Sequence, residues 1–337
     1  MKNEERYTQF ALAQEMMETP AILKNFKLEG ADNVIAAIKS TGKVFFTGEG
    51  SSRIFPAKNA MCQALATSCD LNLQTEGGRQ AVDYDLSDFV VFGASNSGST
   101  KEVICLLDGL KKTGHSKLFG LTAREDTTLS KMAEQTFVLK CGWEQAVAAT
   151  KSVAEQGLFY QELIAQTQGK TVTDGLDAAA DAVEDALTTD IAPELTKKIA
   201  NAGTIYFAGR NDGVAEELTL KTNEITRKKS DYLEGTYAVH GIEEVMNADD
   251  VVILIDPFKA ELEKIKETLA DVVGLTVIAV STEDTIFPTI KVKDAGPLST
   301  YVYLAAGWNI LIEVGTSLGV NLDKAERARK VGNEFEG

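Results

Sequence analysis

The stretch FGASNSGSTKEV, residues 92–103, joins an apolar run to an amphipathic pattern and decides the fold of the first half of the chain. The run DFVVFGAS at 88–95 is typical of a buried strand. TKEVICLLDGLKKTG at 100–114 places apolar residues at helical spacing, and Gly114 can end that helix. A strand, a polar turn and a helix in succession are the repeating unit of parallel sheets. The turn at 95–100 therefore lies where such sheets bind ligands, outside the carboxyl end of a strand.

The same alternation of strand and helix patterns recurs along the chain. Other strands are predicted at 43–50, 117–123, 136–140, 203–212, 249–257 and 275–284. Other helices are predicted at 56–68, 144–168, 175–188, 215–225, 261–273 and 300–319. The last helix is apolar nearly all round, so we expect it to be buried. The pattern predicts an α/β protein of two tandem doubly wound, flavodoxin-like parallel-sheet domains. We place them at 1–170, with a leading helix, and at 190–337, with a C-terminal tail.

Composition and charge exclude several classes of function. The 337 residues carry a net charge of −16, which opposes binding to nucleic acid. No apolar run is long enough to cross a bilayer, and the first twenty residues are polar and acidic, unlike a signal peptide. The four cysteines lack metal-type spacing, and we expect them to be reduced. These features predict a cytoplasmic protein that binds neither nucleic acid nor membrane and holds no metal.

The polar turn has the composition of a phosphate site. Ser95, Ser97, Ser99 and Thr100 offer hydroxyls, Asn96 offers an amide, and free N–H groups begin the helix that follows. A second polar turn, TGEGSSR at 47–53, ends the preceding predicted strand, and neighbouring strands would bring the two turns side by side. The alternative is that these hydroxyls only cap a helix and fill a turn.

The segments GEGSS (48–52), SNSGST (95–100) and WEQAVAATK (143–151) resemble, in order and spacing, the motifs of the sugar isomerase (SIS) family. The nearest likeness is to the isomerase half of glucosamine-6-phosphate synthase, and it spans nearly the whole chain as two tandem SIS units. This resemblance implies a sugar phosphate held by Ser95, Asn96, Ser97 and Thr100, with Ser51, Ser52 and Val147 at the sugar. Asn96 stands where the family usually has glutamine.

The resemblance also implies catalytic groups further along the chain. Without a gap, Glu224 falls on the glutamate that shuttles the proton in the family, and His240 falls on a histidine that a neighbouring subunit supplies for ring opening. Lys330 keeps the spacing of a C-terminal lysine that enters the sugar site. Each has a structural alternative: Glu224 as a solvated helix residue, His240 as a turn residue and Lys330 as part of a basic patch. The glutamate and proline that flank the family's histidine are missing here.

Together these features predict a cofactor-free enzyme that acts on an amino-sugar phosphate such as glucosamine 6-phosphate. The reaction is aldose–ketose isomerisation, hydrolytic deamination, or both in sequence. We expect no glutaminase activity, since no glutaminase segment or N-terminal cysteine precedes the SIS units. A homodimer with His240 contributed across the interface follows from the resemblance. The alternatives are a deglycase that acts on a sugar-phosphate adduct and a phosphosugar-sensing protein that binds without turnover.

Overall fold

The computed structural model describes residue 1 and residues 4–336. The chain forms two compact units. The first unit comprises Ile22–Glu144, Ala149–Leu176 and Arg327–Gly337, and the second unit comprises Met1–Ala21, Gln145–Ala148 and Asp177–Glu326. Among the described residues, the helices are all too short or too polar to span a membrane.

Each unit contains one five-stranded sheet with helices connecting its strands. The strands are β1 (Lys43–Thr47), β2 (Asn72–Glu76), β3 (Val90–Ala94), β4 (Leu118–Thr122), β5 (Gln135–Val138), β6 (Ile205–Gly209), β7 (Ser230–Glu234), β8 (Val251–Ile255), β9 (Thr276–Ser281) and β10 (Thr289–Lys291). The helices are α1 (Glu5–Thr8), α2 (Ala11–Asn25), α3 (Asp32–Thr41), α4 (Ile54–Ala66), α5 (Gly78–Ala81), α6 (Lys101–Lys112), α7 (Thr128–Met132), α8 (Lys151–Thr167), α9 (Leu176–Thr188), α10 (Pro193–Asn201), α11 (Val214–Thr226), α12 (Leu262–Ile265) and α13 (Ser299–Ser317). A π-helical segment, Lys266–Val273, continues α12.

The sheet of the first unit is parallel, in the order β2-β1-β3-β4-β5. This is the flavodoxin-like order, whose ligand-binding switch point lies between β1 and β3. Because β1 pairs directly with β3, the turns that follow these two strands start from neighbouring positions on the carboxyl edge. The predicted adjacency of the two polar turns is confirmed.

The sheet of the second unit repeats the arrangement, in the order β10-β9-β8-β6-β7 with every pair parallel. Here the switch point lies between β6 and β8, and α11 follows β6 directly. The predicted fold of two tandem doubly wound parallel sheets is confirmed.

Three strands escaped prediction, and all three lie at sheet edges. β2 (NLQTE) and β7 (SDYLE) consist mostly of polar residues that are exposed or half-buried, and β10 has only three residues. An edge strand pairs on one side only, so it needs less apolar sequence than a central strand. The seven strands that were predicted include all the central ones, whose residues are almost entirely buried.

Two long helices supply much of the buried apolar surface. In α13 all residues from Ser299 to Ile312 are buried, which confirms the expectation of a buried helix for that part of 300–319, whereas residues 317–319 are exposed. In α8 the buried residues run from Lys151 to Ile164. This helix begins at Lys151 rather than near 144, because residues 143–150 form a loop that the side chain of Glu144 ties together.

The compact units differ from the predicted domains 1–170 and 190–337 at both ends of the chain. Residues 1–21 belong with the C-terminal sheet, where the Asp323 carboxylate accepts hydrogen bonds from the amides of Ala11 (3.0 Å) and Leu12 (2.9 Å) at the start of α2. Residues from Arg327 onwards belong with the N-terminal sheet, where Phe335 packs against a buried cluster. Local sequence patterns carry no information about such distant pairings.

Candidate active site

The hydroxyls of the turn after β3 converge. Ser95, 1% exposed, places its Oγ 2.7 Å from Thr100 Oγ1 and 3.4 Å from Ser97 Oγ, and the Thr100 amide donates to the same Ser95 oxygen. The Ser99 hydroxyl and amide both donate to Ser97 Oγ, at 2.9 and 3.2 Å. A helix of twelve residues starts at Lys101, so its first N–H groups and dipole point towards these hydroxyls. The predicted grouping of Ser95, Ser97 and Thr100 is therefore present.

Gly98 allows this turn to pack closely. Its φ is +66°, and a Cβ built on it would lie 2.3 Å from the Thr127 side chain, well inside contact distance. The Gly98 carbonyl accepts a hydrogen bond of 2.9 Å from the Leu129 amide in α7. The turn after β3 is thereby fixed against the loop after β4.

The side chain of Asn96 is hydrogen-bonded to residues of α8. Its amide nitrogen donates to Ser152 Oγ at 2.6 Å, and its amide oxygen accepts from Gln156 Nε2 at 2.6 Å. The Ser152 hydroxyl in turn donates to the Glu144 carboxylate. Asn96 therefore anchors the turn to α8, and its assignment to the phosphate stays a prediction.

The C-terminal tail lies across the same turn. Glu334 forms an antiparallel bridge with Thr100, and the Phe335 amide donates to the Ser99 carbonyl at 2.9 Å. The Lys101 amide, the first of α6, donates to the Asn333 carbonyl at 3.1 Å. The Ser99 hydroxyl also lies 3.1 Å from Glu334 Oε1. The tail thus covers donors that a phosphate would use.

A pocket of about 430 Å³ opens beside the turn and the tail. It is lined by Ser97, Ser99, Arg124, Glu125, Asp126, Thr127, Thr128, Trp143, Lys330, Val331 and Glu334. The Arg124 guanidinium stacks on the Trp143 ring at 3.7 Å from its centroid, and Lys330 Nζ lies 5.5 Å from the same centroid. The structure therefore brings Lys330 to the predicted phosphate turn, as its assignment to the sugar site requires.

The second polar turn, after β1, is a short 3₁₀ segment at Gly50–Ser52. Ser51 and Ser52 are both half-buried on the carboxyl edge of the sheet. Gly48 has no room for a side chain, because a Cβ would lie 2.9 Å from the Ser52 carbonyl oxygen. The position of these two serines is compatible with the sugar contacts that the family resemblance implies.

In the second unit, Glu224 projects from α11 and is paired with a buried ammonium. Lys221 Nζ lies 2.6 Å from Glu224 Oε2 and 3.4 Å from Glu217 Oε1. The side chains of Lys221 and Glu217 are fully buried, whereas the Glu224 side chain is 28% exposed. A fixed buried cation that neighbours a partly exposed carboxylate differs from a freely solvated helix face. This geometry favours a functional role for Glu224.

His240 and Val147 also belong to the second unit. His240 is exposed directly after the 3₁₀ turn Tyr237–Val239 and before Gly241, which has a φ of +108°. The exposed apolar side chains of Tyr237 and Val245 flank it. The Val147 amide donates to the Asp323 carbonyl at 3.1 Å. An exposed histidine on a loop is accessible to another chain.

Sequence reasoning missed the residues that support the turn and line its pocket. Glu144, Ser152 and Gln156 fix Asn96, and Arg124 and Trp143 form the wall beside Ser97. Arg124 follows β4 on the carboxyl edge of the sheet, so its position in the strand–loop pattern could have marked it. The signal for Glu144 was weaker, because this residue lies in a loop that was predicted as helix, and Trp143 directly precedes it.

No protein-family model matches the chain. The chain is 25% identical over 217 residues to a glutamine–fructose-6-phosphate aminotransferase (isomerizing) of Shewanella oneidensis. This alignment covers 61% of this chain and 36% of that protein. The chain thus spans about a third of the length of the curated relatives it matches.

Solved structures match over almost the whole chain. The C-terminal domain of glucosamine-fructose-6-phosphate aminotransferase from Francisella tularensis superposes with a TM-score of 0.78 at 17% identity, covering 96% of this chain and 100% of that one. Glucosamine-6-phosphate deaminase from Thermotoga maritima gives 0.73 at 18% identity, covering 95% and 99%. At these identities the likeness shows a common fold.

Proposed function

We propose that this chain, whose motifs and fold are those of the tandem SIS family, is a cofactor-free enzyme acting on an amino-sugar phosphate such as glucosamine 6-phosphate. The observation that carries the proposal is the convergence of Ser95, Ser97 and Thr100 at the start of α6. Hydroxyls and helix N–H groups together suit a phosphate monoester. The names of the similar proteins, an isomerizing aminotransferase and a glucosamine-6-phosphate deaminase, support the same substrate class.

In this proposal Glu224 moves the proton between C1 and C2 of the opened sugar. The Lys221 ammonium, 2.6 Å away, holds the carboxylate in one position. His240 of a neighbouring subunit assists ring opening, Lys330 contacts the sugar, and Ser51, Ser52 and Val147 line its site. When the proton moves from C2 to C1 of the opened amino sugar, the amine on C2 becomes an imine. Water then hydrolyses the C2 imine, which releases ammonia and gives the ketose phosphate. The net deamination consumes one water and releases one ammonia.

The proposal predicts that Glu224→Gln abolishes turnover, with at least a ~1000-fold loss of kcat, while phosphosugar binding changes little. Ketose formation and ammonia release from glucosamine 6-phosphate and a small panel of phosphosugars measure turnover. Calorimetry measures binding. The matched control is Asn223→Asp, which changes charge at the exposed neighbouring position on α11. Wild-type rates in Glu224→Gln would exclude this residue as the base, and binding without turnover of any phosphosugar would favour a sensor.

A further inference from the structure

The pocket beside Trp143 combines a stacked cation, hydroxyl donors and a carboxylate from the tail. We infer that Arg124, held on Trp143, clamps the anionic group of the ligand, and that the Glu334 carboxylate occupies this anion position until the ligand displaces it. The inference deepens the proposed function, since the anion in question would be the substrate's phosphate. It adds two residues, Arg124 and Glu334, that neither the turn motif nor the SIS resemblance includes.

Arg124 is placed to act as a clamp. Its guanidinium lies 3.7 Å from the Trp143 ring centroid, in a pocket whose walls include the phosphate-turn residues Ser97 and Ser99. Stacking on an aromatic ring limits the rotamers of the arginine while leaving the N–H groups at its edge available. A guanidinium fork matches two phosphate oxygens at once, and hydrogen bonds between charged groups are stronger than neutral ones.

The overall charge makes a local cation necessary. At −16, the chain's summed field repels a phosphate dianion, and the hydroxyls of Ser95, Ser97 and Thr100 are neutral donors. A cation at the pocket wall offsets that field at the point where the anion binds. Arg124 supplies it from the loop after β4, next to the Gly98 contact that fixes the turn.

Glu334 marks the anion position. Its Oε1 lies 3.1 Å from the Ser99 hydroxyl oxygen, and its backbone is bridged to Thr100. The pocket then contains three carboxylates, those of Glu125, Asp126 and Glu334, against the cations of Arg124 and Lys330. A phosphate therefore binds most tightly when it displaces the Glu334 carboxylate, because the repulsion between the two anions is then removed. Removing the charge of Arg124 should therefore weaken phosphate binding, whereas removing the charge of Glu334 should strengthen it.

The test uses inorganic phosphate as the probe, titrated into the full chain by calorimetry at constant ionic strength. We expect Arg124→Gln to weaken phosphate binding about 10-fold or more, since a charge-assisted pair is lost. Glu334→Gln should tighten binding several-fold, because a competing charge is removed. Lys39→Gln is the matched control for charge and should leave binding unchanged. Lys39 is exposed in the last turn of α3, just before β1 begins, at the opposite edge of the sheet.

A second variant, Arg124→Lys, keeps the charge but loses the fork, and we expect binding at least ~3-fold weaker than wild type. Thermal unfolding of each variant shows that the fold is intact. Equal phosphate affinity in Arg124→Gln and Lys39→Gln, or weaker binding in Glu334→Gln, overturns the inference.

The inference and the proposed function can fail separately. If wild type turns over a phosphosugar and Arg124→Gln keeps the same KM, the function stands and the clamp is rejected. If the wild type turns over no phosphosugar but binds phosphate more tightly than Arg124→Gln does, the clamp is supported and the enzymatic function is rejected.

Discussion

The burial of a single carboxylate, that of Asp212, makes the stability of the fold depend on pH. Asp212 follows β6 in the second unit, is 5% exposed, and accepts a hydrogen bond of 2.9 Å from the Val214 amide at the start of α11. Burial raises its pKa to about 6, and the nearby Asp256 charge adds to the rise, while the Val214 hydrogen bond and Arg210 oppose it. The folded state therefore retains this proton at a pH where the unfolded chain has lost it.

The sign of the stability effect follows from linkage. Because the folded pKa lies above the unfolded value of 3.8, stability falls as pH rises between these values and is lowest above about 6. Asp212→Asn does not ionise, so we expect its stability relative to wild type to rise by about 1 kcal/mol between about pH 5 and pH 8. Urea unfolding across that range measures it. Asp85→Asn is the control: hydrogen bonds from Ser87 lower the pKa of Asp85, so both the folded and the unfolded chain have lost this proton by pH 5 and the stability difference should stay constant up to pH 8. A flat difference for Asp212→Asn would contradict the prediction.

Individual site residues were predictable only where a local motif contains them. The hydroxyls of Ser95, Ser97 and Thr100 converge because they lie within one turn at a strand end, and this spacing is visible in the sequence. The side chain of Asn96 is directed by Ser152, which lies 56 positions away on another helix. Contacts over such separations depend on how the elements pack, which periodicity does not specify.

At the scale of elements, α11 and α13 pack closely through a glycine. A Cβ on Gly307 of α13 would lie 2.3 Å from the Leu218 methyl groups of α11, and Leu218 is fully buried. Glycine at this position of a helix costs conformational entropy, so the close approach is the reason it is tolerated. The contact lies on the helix that bears Glu224.

We expect Gly307→Ala to lower the free energy of unfolding by about 1–3 kcal/mol, because the buried Leu218 has little space to move. Gly109→Ala is the matched control: Gly109 lies in α6 with nothing within 4 Å of a built Cβ. That control should be neutral or stabilising by up to about 1 kcal/mol, through helix propensity. Thermal and urea unfolding of both variants distinguish them, and equal stabilities would contradict the close-packing explanation.

The elements themselves were predictable to the extent that they are buried on both faces. β3, β4, β6 and β8 read as continuous apolar runs because helices cover both sides of a parallel sheet. The edge strands β2, β7 and β10 read as polar loops because they meet solvent on one side. The full order of the strands was not predicted, because periodicity marks the elements and not the way they pair.

For the whole molecule, the two sheets repeat one topology but differ at their switch points. The turn after β3 carries hydroxyls, whereas Asp256 follows β8 and forms an ion pair of 2.5 Å with Arg210 from the end of β6. An aspartate at this position disfavours a phosphate. The two units therefore differ: the turn after β3 in the first has the composition of an anion site, and the corresponding turn in the second does not.

The assignment of His240 to a neighbouring subunit gives a prediction for the assembly. If each site combines Glu224 of one chain with His240 of another, a mixed dimer of Glu224→Gln and His240→Ala chains contains one intact site and one doubly altered site. Co-expressing the two variants under different tags and purifying through both tags isolates this mixed dimer. We expect about half of wild-type activity from it and almost none from either variant alone. If both groups act within one chain, every site of the mixed dimer lacks one of them. The mixed dimer would then be as inactive as its parents, and the cross-subunit assignment would be rejected.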